Sequence, residues 1–363
     1  MKKTYGEGSF RPSSGQTDAR RIPTGIFQLD YHLLGGVPVN RVTLICGHKA
    51  SFKTTLALKI IKHFQERCTI CYCLPSACHC IWKEEDKPSL AVYIDAEHAL
   101  DEGHVKRLGV DPSRLYIAEP PHAEAACEYT EKLAKVPDVG LIVVDCLAAL
   151  MPSAEADADY LDGISRGARA KLIARMLRAC IVNIKRERPC TLLLLNHLLP
   201  RVDGRPGDIL PGGETQKYLS SVVLKLWVIG KSQNKIDVTA TKKRNKESEE
   251  EIFSDEEEDT KRKQTVGFLI EHSKVSPENI TGEYELCLQE GPGFLFGDAD
   301  DDKVIFLWAL KLGYIEKVGA VYHTNFSDIK FTSQKAIFEF WHQEPAVFTV
   351  LRDQIIQAGK AIF

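Results

Sequence analysis

Gly47, Lys53 and Thr54 stand in the run Cys46-Gly47-His48-Lys49-Ala50-Ser51-Phe52-Lys53-Thr54-Thr55, whose spacing suits the binding of a phosphate chain. The general pattern is G-x-x-x-x-G-K-[ST] between a buried strand and a helix. Here Phe52 occupies the position of the second glycine. In such a loop the successive backbone N–H groups wrap the β-phosphate, the lysine reaches the β and γ oxygens, and the hydroxyl after it faces Mg2+. Those roles fall to residues 47–55, with Lys53 as the cation and Thr54 as the hydroxyl. The plain alternative is a chance Gly…Lys-Thr. The apolar strand before the loop and the helical pattern after it favour a nucleoside triphosphate site.

Three further groups follow apolar runs. Leu141-Ile142-Val143-Val144-Asp145 has the Walker B form, which places a carboxylate at a strand tip to hold the water shell of Mg2+. Apolar runs ending in aspartate are common, so Asp145 gains weight only beside Lys53 and Thr54. Val92-Tyr93-Ile94-Asp95-Ala96-Glu97 offers Glu97 as a base that polarises the attacking water. The rival role for Glu97 is a carboxylate near a helix N-terminus, since Asp101 and Glu102 follow. Leu192–Leu195 precedes Asn196-His197, which offers His197 as a γ-phosphate sensor rather than a structural histidine.

Five cysteines crowd one stretch, Cys68, Cys71, Cys73, Cys78 and Cys80. In a reducing compartment such clustering suggests metal rather than disulfides. Tetrahedral Zn2+ needs four ligands, and a Cys-x2-Cys pair is the usual chelating unit. The preferred set is Cys68, Cys71, Cys78 and Cys80, with Cys73 or His79 able to substitute. Such a zinc would be structural; the alternative is a reduced, metal-free loop. Cys46, Cys127, Cys146, Cys180, Cys190 and Cys287 stand apart in apolar surroundings, as buried reduced thiols do.

These groups require elements to position them. The apolar runs Val42–Cys46, Ala91–Ile94, Leu115–Ala118, Leu141–Val144 and Thr191–Leu195 read as strands buried on both faces. Helical patterns lie between them at 53–67, 101–108, 122–136 and 165–187. Such alternation predicts an α/β fold with a mostly parallel sheet, whose ligands sit beyond the carboxyl ends of the strands. Residues 1–20 read as a mobile polar tail, 68–90 as a cysteine-rich insertion, and 242–263 as a charged, disordered loop. Strand-like segments Lys235–Thr241 and Val266–Glu271 flank that loop, so it reads as an overgrown hairpin tip. From Gly291 onward the aromatic content rises, which predicts a small C-terminal α+β lobe over 291–363. A formal net charge of -3 excludes a uniformly basic nucleic-acid binder but leaves room for a local basic track. No apolar run is long enough to span a bilayer and no signal-peptide pattern opens the chain, which reads as soluble, intracellular and without membrane partners.

With these motifs in hand, the chain resembles the RecA family of ATP-dependent DNA strand-exchange proteins over about residues 21–363. Thr24-Gly25-Ile26-Phe27-Gln28-Leu29-Asp30 with Gly35-Gly36-Val37-Pro38 carries the entry to the phosphate-loop strand. Ile94-Asp95-Ala96-Glu97-His98-Ala99-Leu100-Asp101 and Val143-Val144-Asp145-Cys146-Leu147-Ala148-Ala149-Leu150 carry the catalytic and Walker B segments. Ser51-Phe52-Lys53, Asn196-His197 and the terminal Phe340-Trp341…Gln343…Pro345…Phe348…Arg352-Asp353…Ile356 are most like the phage recombinases of the UvsX type.

The resemblance implies a RecA-like P-loop ATPase core of residues 21–290, with ATP and Mg2+ as ligands and Asp101 on adenine. His104 falls near the expected base-stacking aromatic. It also implies two DNA loops. Ser153–Gly167 is acidic and leads into a helix with Arg166, Arg169, Lys171, Arg175 and Arg178, while Leu198–Gly213 holds Arg201, Arg205 and the pair Gly212-Gly213. Glycines admit phosphates close to the backbone and arginines neutralise them; singly, each arginine is also an ordinary surface charge. Lys217 with Tyr218, and Lys274 with His272 in place of a second lysine, stand where contacts to a neighbouring protomer's ATP are implied. The implied protein coats single-stranded DNA as a helical homo-oligomer in the cytoplasm, of the host if phage-encoded, and at the nucleoid when on DNA. There it pairs with homologous double-stranded DNA and works beside single-strand-binding and mediator proteins. Residues 1–20 carry no equivalent of the N-terminal element through which the family polymerises. A ring-forming helicase or loader ATPase, and a mediator using ATP as a structural ligand, are the alternatives.

Overall fold

A computed structural model describes residues 20–73, 78–80, 89–156, 167–184, 190–201, 206–230, 263–290 and 294–360. The strands in chain order are β1 (Arg21–Ile22), β2 (Val37–Pro38), β3 (Val42–Gly47), β4 (Leu90–Asp95), β5 (Leu115–Ala118), β6 (Val139–Asp145) and β7 (Thr191–His197). They continue with β8 (Leu199–Pro200), β9 (Asp208–Ile209), β10 (Val222–Val228), β11 (Lys263–Ser273), β12 (Ile280–Cys287), β13 (Ile315–Val318) and β14 (Val321–Thr324). The helices are α1 (Phe27–His32), α2 (Lys53–Glu66), α3 (Glu102–Arg107), α4 (Ala123–Leu133), α5 (Ser153–Ala156), α6 (Ala168–Asn183) and α7 (Thr215–Leu219). The last are α8 (Asp302–Lys311), α9 (Gln334–Gln343) and α10 (Pro345–Lys360).

One eight-stranded sheet dominates, in the order β12-β11-β10-β3-β7-β6-β4-β5. The six strands from β10 to β5 are parallel to their neighbours, and β11 and β12 extend the sheet antiparallel. Near-continuous apolar strands are what a sheet covered on both faces requires. Alternate residues serve opposite faces: Ile45, Tyr93, Val143 and Leu193 join one apolar cluster, and Leu44, Ile94, Val144 and Leu194 the other.

Each face is covered by an amphipathic helix. α2 buries Leu56, Ile60 and Phe64, a four-residue repeat on one side of the helix. Each of those side chains contributes about 1.5–3 kcal/mol by leaving water. α6 buries Ile173, Met176, Leu177 and Cys180 on the opposite face, and keeps Lys171, Arg175 and Arg178 exposed. Burial pushes the Cys180 and Cys190 thiols up to about 12, so both remain protonated and inert.

A third apolar cluster gathers α8, α9 and α10 around Trp341, Phe306, Ile337 and Ile355. It also takes in Phe27 and Tyr31 of α1, so this C-terminal core is completed from the start of the described chain. The buried carboxylate of Asp30 accepts from Arg352 of α10 and from the Thr24 hydroxyl at 2.8 Å. That ion pair ties the two ends of the described chain together. Among the described residues no helix is long and apolar enough to cross a membrane.

The tail at 1–19, the charged block at 242–262 and the strand-like segment 235–241 lie outside the described residues. So do 74–77 and 81–88 of the cysteine-rich stretch. The strand-like run at 266–271 falls inside β11.

Candidate functional site

The order β3-β7-β6-β4 sets four strand ends side by side at the carboxyl edge. Gly47 of β3 is in register with His197 of β7, and Asp145 of β6 with Asp95 of β4. The phosphate loop, Asn196-His197, Asp145 and the segment bearing Glu97 therefore share one rim. Sheet topology alone brings these distant parts of the sequence together.

Gly47 opens the phosphate loop where no side chain fits. A Cβ there would lie 2.4 Å from the Leu226 carbonyl oxygen and 2.4 Å from Ser51 Oγ. Phe52, at the usual glycine position, adopts the left-handed conformation a glycine would take (φ 62°, ψ 25°) and its ring packs on the core. Backbone strain of about 1–2 kcal/mol is thus set against apolar contact. Ala50 is left-handed as well, at φ 60°. His48, Lys49 and Ala50 are exposed on the loop, and Thr55 is buried in the first turn of α2. The Lys53 ammonium donates to the Gly47 carbonyl (3.0 Å), the His48 carbonyl (2.8 Å) and Ser51 Oγ (3.3 Å). Burial lowers its pKa, and the neighbouring Asp145 charge works against that shift.

Thr54 Oγ1 donates to Asp145 Oδ2 at 2.8 Å, so the predicted pair of Mg2+-side groups is in direct contact. An aliphatic hydroxyl touching a carboxylate at a strand tip is the hard oxygen set that Mg2+ takes, and these residues fit that ion. The Tyr93 hydroxyl donates to the same oxygen. Burial pushes the Asp145 carboxyl above the usual range, against the pull of the Tyr93 and Thr54 hydroxyls.

Glu97 is held from two sides. Its Oε1 accepts from Cys146 Sγ at 2.7 Å and lies 2.7 Å from His197 Nε2. Burial works to raise its carboxyl, but these two hydrogen bonds outweigh it and hold Glu97 below the ordinary glutamate range. A carboxylate kept ionised at a phosphate rim can orient and polarise water. The segment carrying it is organised by buried Asp95, which accepts from the backbone N–H groups of Glu97 (3.2 Å), Ala99 (2.9 Å) and Leu100 (2.9 Å).

Cys146 corrects an expectation. It is buried, yet its thiol has a polar partner in Glu97 and belongs to the site. The signal was its place directly after Asp145, whose neighbour in the sheet, β4, leads to Glu97. Tyr93 and Asp95 were also missed; a hydroxyl and a carboxylate inside an apolar strand were the clue.

Asn196 links the rim to the second candidate DNA loop. Its side chain is buried and donates to the Pro211 carbonyl and to Gln216 Oε1, both at 2.8 Å. Gln216 in turn donates to the carbonyls of Pro211 (2.7 Å) and Gly213 (2.9 Å). β8 and β9 pair as a short antiparallel hairpin within that loop. His48 of the phosphate loop meets Asp208 of β9 at 3.3 Å. Gly212 has φ +84°, and a Cβ there would lie 2.5 Å from Ile173 Cδ1 of α6. Gly213 follows with φ +82°. Arg201 is exposed at the hairpin; Arg205 lies outside the described residues.

In the first candidate DNA region, residues 157–166, Arg166 included, lie outside the described residues. Arg169 is occupied within the chain: Nη1 donates to the Ala148 carbonyl at 2.8 Å, and Glu155 stands 3.9 Å from Nη2. Lys171, Arg175 and Arg178 fall at i, i+4 and i+7 on the exposed side of α6. Asp101 caps α3, accepting from the N–H groups of Gly103 and His104 at 3.0 Å each. His104 meets Phe296 edge-on, with ring centroids 5.4 Å apart.

Lys217, Tyr218 and Lys274 form one patch. The Lys274 ammonium donates to the Tyr218 carbonyl at 2.7 Å, and the Tyr218 residue is 75% exposed. Lys217 lies 3.5 Å from Glu214 and 3.6 Å from Glu271. His272 is paired with Glu278 at 2.8 Å. In the cysteine-rich stretch, the sulfurs of Cys68, Cys71, Cys78 and Cys80 cluster, while Cys73 is exposed and turned to the Cys71 carbonyl.

The family model described as RecA N-terminal domain matches residues 1–81 and 75–254. The chain is 30% identical over 329 residues to Protein RecA of Francisella philomiragia subsp. philomiragia, an alignment covering 89% of this chain and 77% of that one. Protein RecA of Francisella tularensis subsp. novicida matches with the same identity and coverage. A family match over more than half of the residues, joined to that identity, shows that the chain belongs to the RecA family.

Proposed function

We propose that this protein is an ATP-dependent DNA strand-exchange protein that coats single-stranded DNA as a helical filament and pairs it with homologous duplex. Family membership supports the coarser statement, a RecA-type DNA recombination ATPase that uses ATP with Mg2+ and binds DNA as a homo-oligomer. The carrying observation is the shared rim: Lys53 in its loop, Thr54 on Asp145, and Glu97 beside His197. Thr54 and Asp145 would hold Mg2+, which would supply neutralisation of phosphate charge. Lys53 is the fixed cation for the phosphates, and Glu97 orients the attacking water. Asp101 and His104 stand at the adenine end.

His197 couples the site to DNA in this account. It shares Glu97 Oε1 on one side, and its N–H is bonded to Asn196, whose amide grips the loop that begins at Leu198. Phosphate contacts to DNA fall to Lys171, Arg175 and Arg178 on α6 and to Arg201, with Arg166 and Arg205 belonging to the same set. Lys217, Tyr218 and Lys274 form the patch offered to a neighbouring protomer, where cations would stabilise γ-phosphate charge only on assembly. The division into a tail over 1–20, an ATPase core over 21–290 and a lobe over 291–363 belongs to the same proposal. It is supported by the apolar cluster around Trp341, which draws mainly on residues after 291 and takes Phe27 and Tyr31 from the core. Phe52 and Asn196-His197 support a UvsX-like lineage within the family.

The test is electron microscopy of the protein on single-stranded DNA with ATP, joined to D-loop formation on a homologous supercoiled duplex. Helical filaments and ATP-dependent D-loops are expected. Closed rings that displace strands as a helicase does, or ATP binding without pairing of homologous strands, would overturn the proposal.

A further inference from the structure

The cysteine cluster lies beyond the C-terminal end of α2, away from the nucleotide rim at the other end of that helix. Cys68 Sγ is 3.7 Å from Cys80 Sγ, and Cys71 Sγ is 3.7 Å from Cys78 Sγ. All four sulfurs lie within 4.8 Å of one another. These cysteines are free, and their separations are far from the roughly 2.05 Å of a disulfide. A tetrahedral zinc ion with thiolates at about 2.3 Å spaces its sulfurs about 3.8 Å apart. The observed pairs match that edge. A thiol is only a weak hydrogen-bond donor, so contacts among four of them would not offset the entropy of gathering them.

We propose that Cys68, Cys71, Cys78 and Cys80 bind one structural Zn2+, a site separate from the ATP and DNA machinery. Four protein sulfurs complete the tetrahedron and leave no position for water or substrate, which is the mark of a structural centre. Cys73 and His79 are exposed and stand outside the set.

The surrounding contacts state what the metal holds in place. Within the Cys68-x2-Cys71 turn, the Tyr72 N–H donates to the Cys68 carbonyl at 2.7 Å, and the Cys68 N–H to the Cys73 carbonyl at 3.1 Å. Tyr72 is buried, its ring 6.4 Å from Phe64 of α2. Arg67, just before the cluster, pairs with Asp353 of α10 at 3.1 Å. Arg20 donates to the Ile70 carbonyl at 2.6 Å. The proposed zinc loop therefore follows directly on the end of the phosphate-loop helix, beside the Arg67 contact to the final helix, and its metal would fix the turn that buries Tyr72 against Phe64.

The test uses the whole chain, purified without added metal and dialysed against chelator-treated buffer. Elemental analysis is expected to find about one zinc ion per chain. Replacement by Co2+ is expected to give the absorption of a tetrahedral thiolate site. Cys71→Ser and Cys78→Ser should each abolish stoichiometric metal, whereas Cys73→Ser keeps it, with circular dichroism reporting the fold of each variant. Stripping zinc should lower the melting temperature. A folded wild-type chain free of zinc would overturn the site. Zinc retained by Cys71→Ser and Cys78→Ser would equally overturn it, as adventitious metal only. Loss of zinc in Cys73→Ser would overturn the ligand set. None of these readouts depends on ATP hydrolysis, so failure here is distinguishable from failure of the recombinase assignment.

Discussion

Glu97→Gln isolates the charge of the proposed base from its position. Glu97 accepts both of its side-chain contacts on one oxygen, Cys146 Sγ at 2.7 Å and His197 Nε2 at 2.7 Å. The glutamine amide keeps a carbonyl oxygen at that place, so with His197 in the tautomer that donates from Nε2 both hydrogen bonds can persist. What disappears is the negative charge and the ability to accept a proton. General-base catalysis contributes about 10²–10⁴-fold, which corresponds to about 3–5 kcal/mol of transition-state stabilisation. The expected result is a kcat for DNA-stimulated ATP hydrolysis reduced by that factor. Nucleotide affinity, measured with a fluorescent ATP analogue, and the melting temperature should be close to wild type. The Glu97 side chain is 32% exposed and lies outside the apolar clusters, so the variant has no packing defect to confuse the result. Turnover within a few-fold of wild type would refute the assignment, because an amide in the same position cannot accept the proton that a general base takes.

Cys146→Ala removes one of the two donors that hold the Glu97 carboxyl down. A base with a depressed pKa is ionised above that value and lost as pH falls through it, so the acid limb of kcat should move to higher pH in the variant; an unmoved limb would exclude the contact from the mechanism. Gly212→Ala forces a side chain into φ +84° and within 2.5 Å of Ile173 Cδ1. A strain of about 1–2 kcal/mol lowers the native loop population about 5–30-fold, so DNA stimulation should fall while DNA-free turnover persists; equal loss of both would contradict the separation of loop and site. Burial pushes the Asp301 carboxyl up to about 6, with Arg352 opposing. Above that pH the folded chain carries a disfavoured charge, so Asp301→Asn should raise the melting temperature near pH 8, and the gain should shrink as pH falls through about 6. An unchanged or growing gain would sink that account.

The polar strand tips of the candidate site were legible because parallel strands buried on both faces read as apolar runs, and polar groups at their ends stand out against them. Val42–Gly47, Val139–Asp145 and Thr191–His197 all announce themselves this way. Which tips adjoin one another was not legible without the strand order. The contact of Cys146 with Glu97 joins two loops, and the bond of Asn196 to Gln216 crosses from a strand to a helix. Neither has a local periodicity. The aromatic residues after Gly291 are visible in the sequence, but the entry of Phe27 and Tyr31 into their cluster from the far end of the described chain is not. The arginine content of α6 was visible as well. That Arg169 turns inward to the Ala148 carbonyl, while Lys171, Arg175 and Arg178 remain exposed, follows from the packing of the helix and not from residue type.

The most direct test of the central claim is steady-state ATP turnover by the whole chain with and without single-stranded DNA, beside Lys53→Ala. Lys53 is the buried cation that the phosphate loop encloses. Turnover that rises on DNA in the wild type and is lost in Lys53→Ala is the predicted result. Turnover indifferent to DNA, or DNA-stimulated turnover surviving in Lys53→Ala, would contradict it.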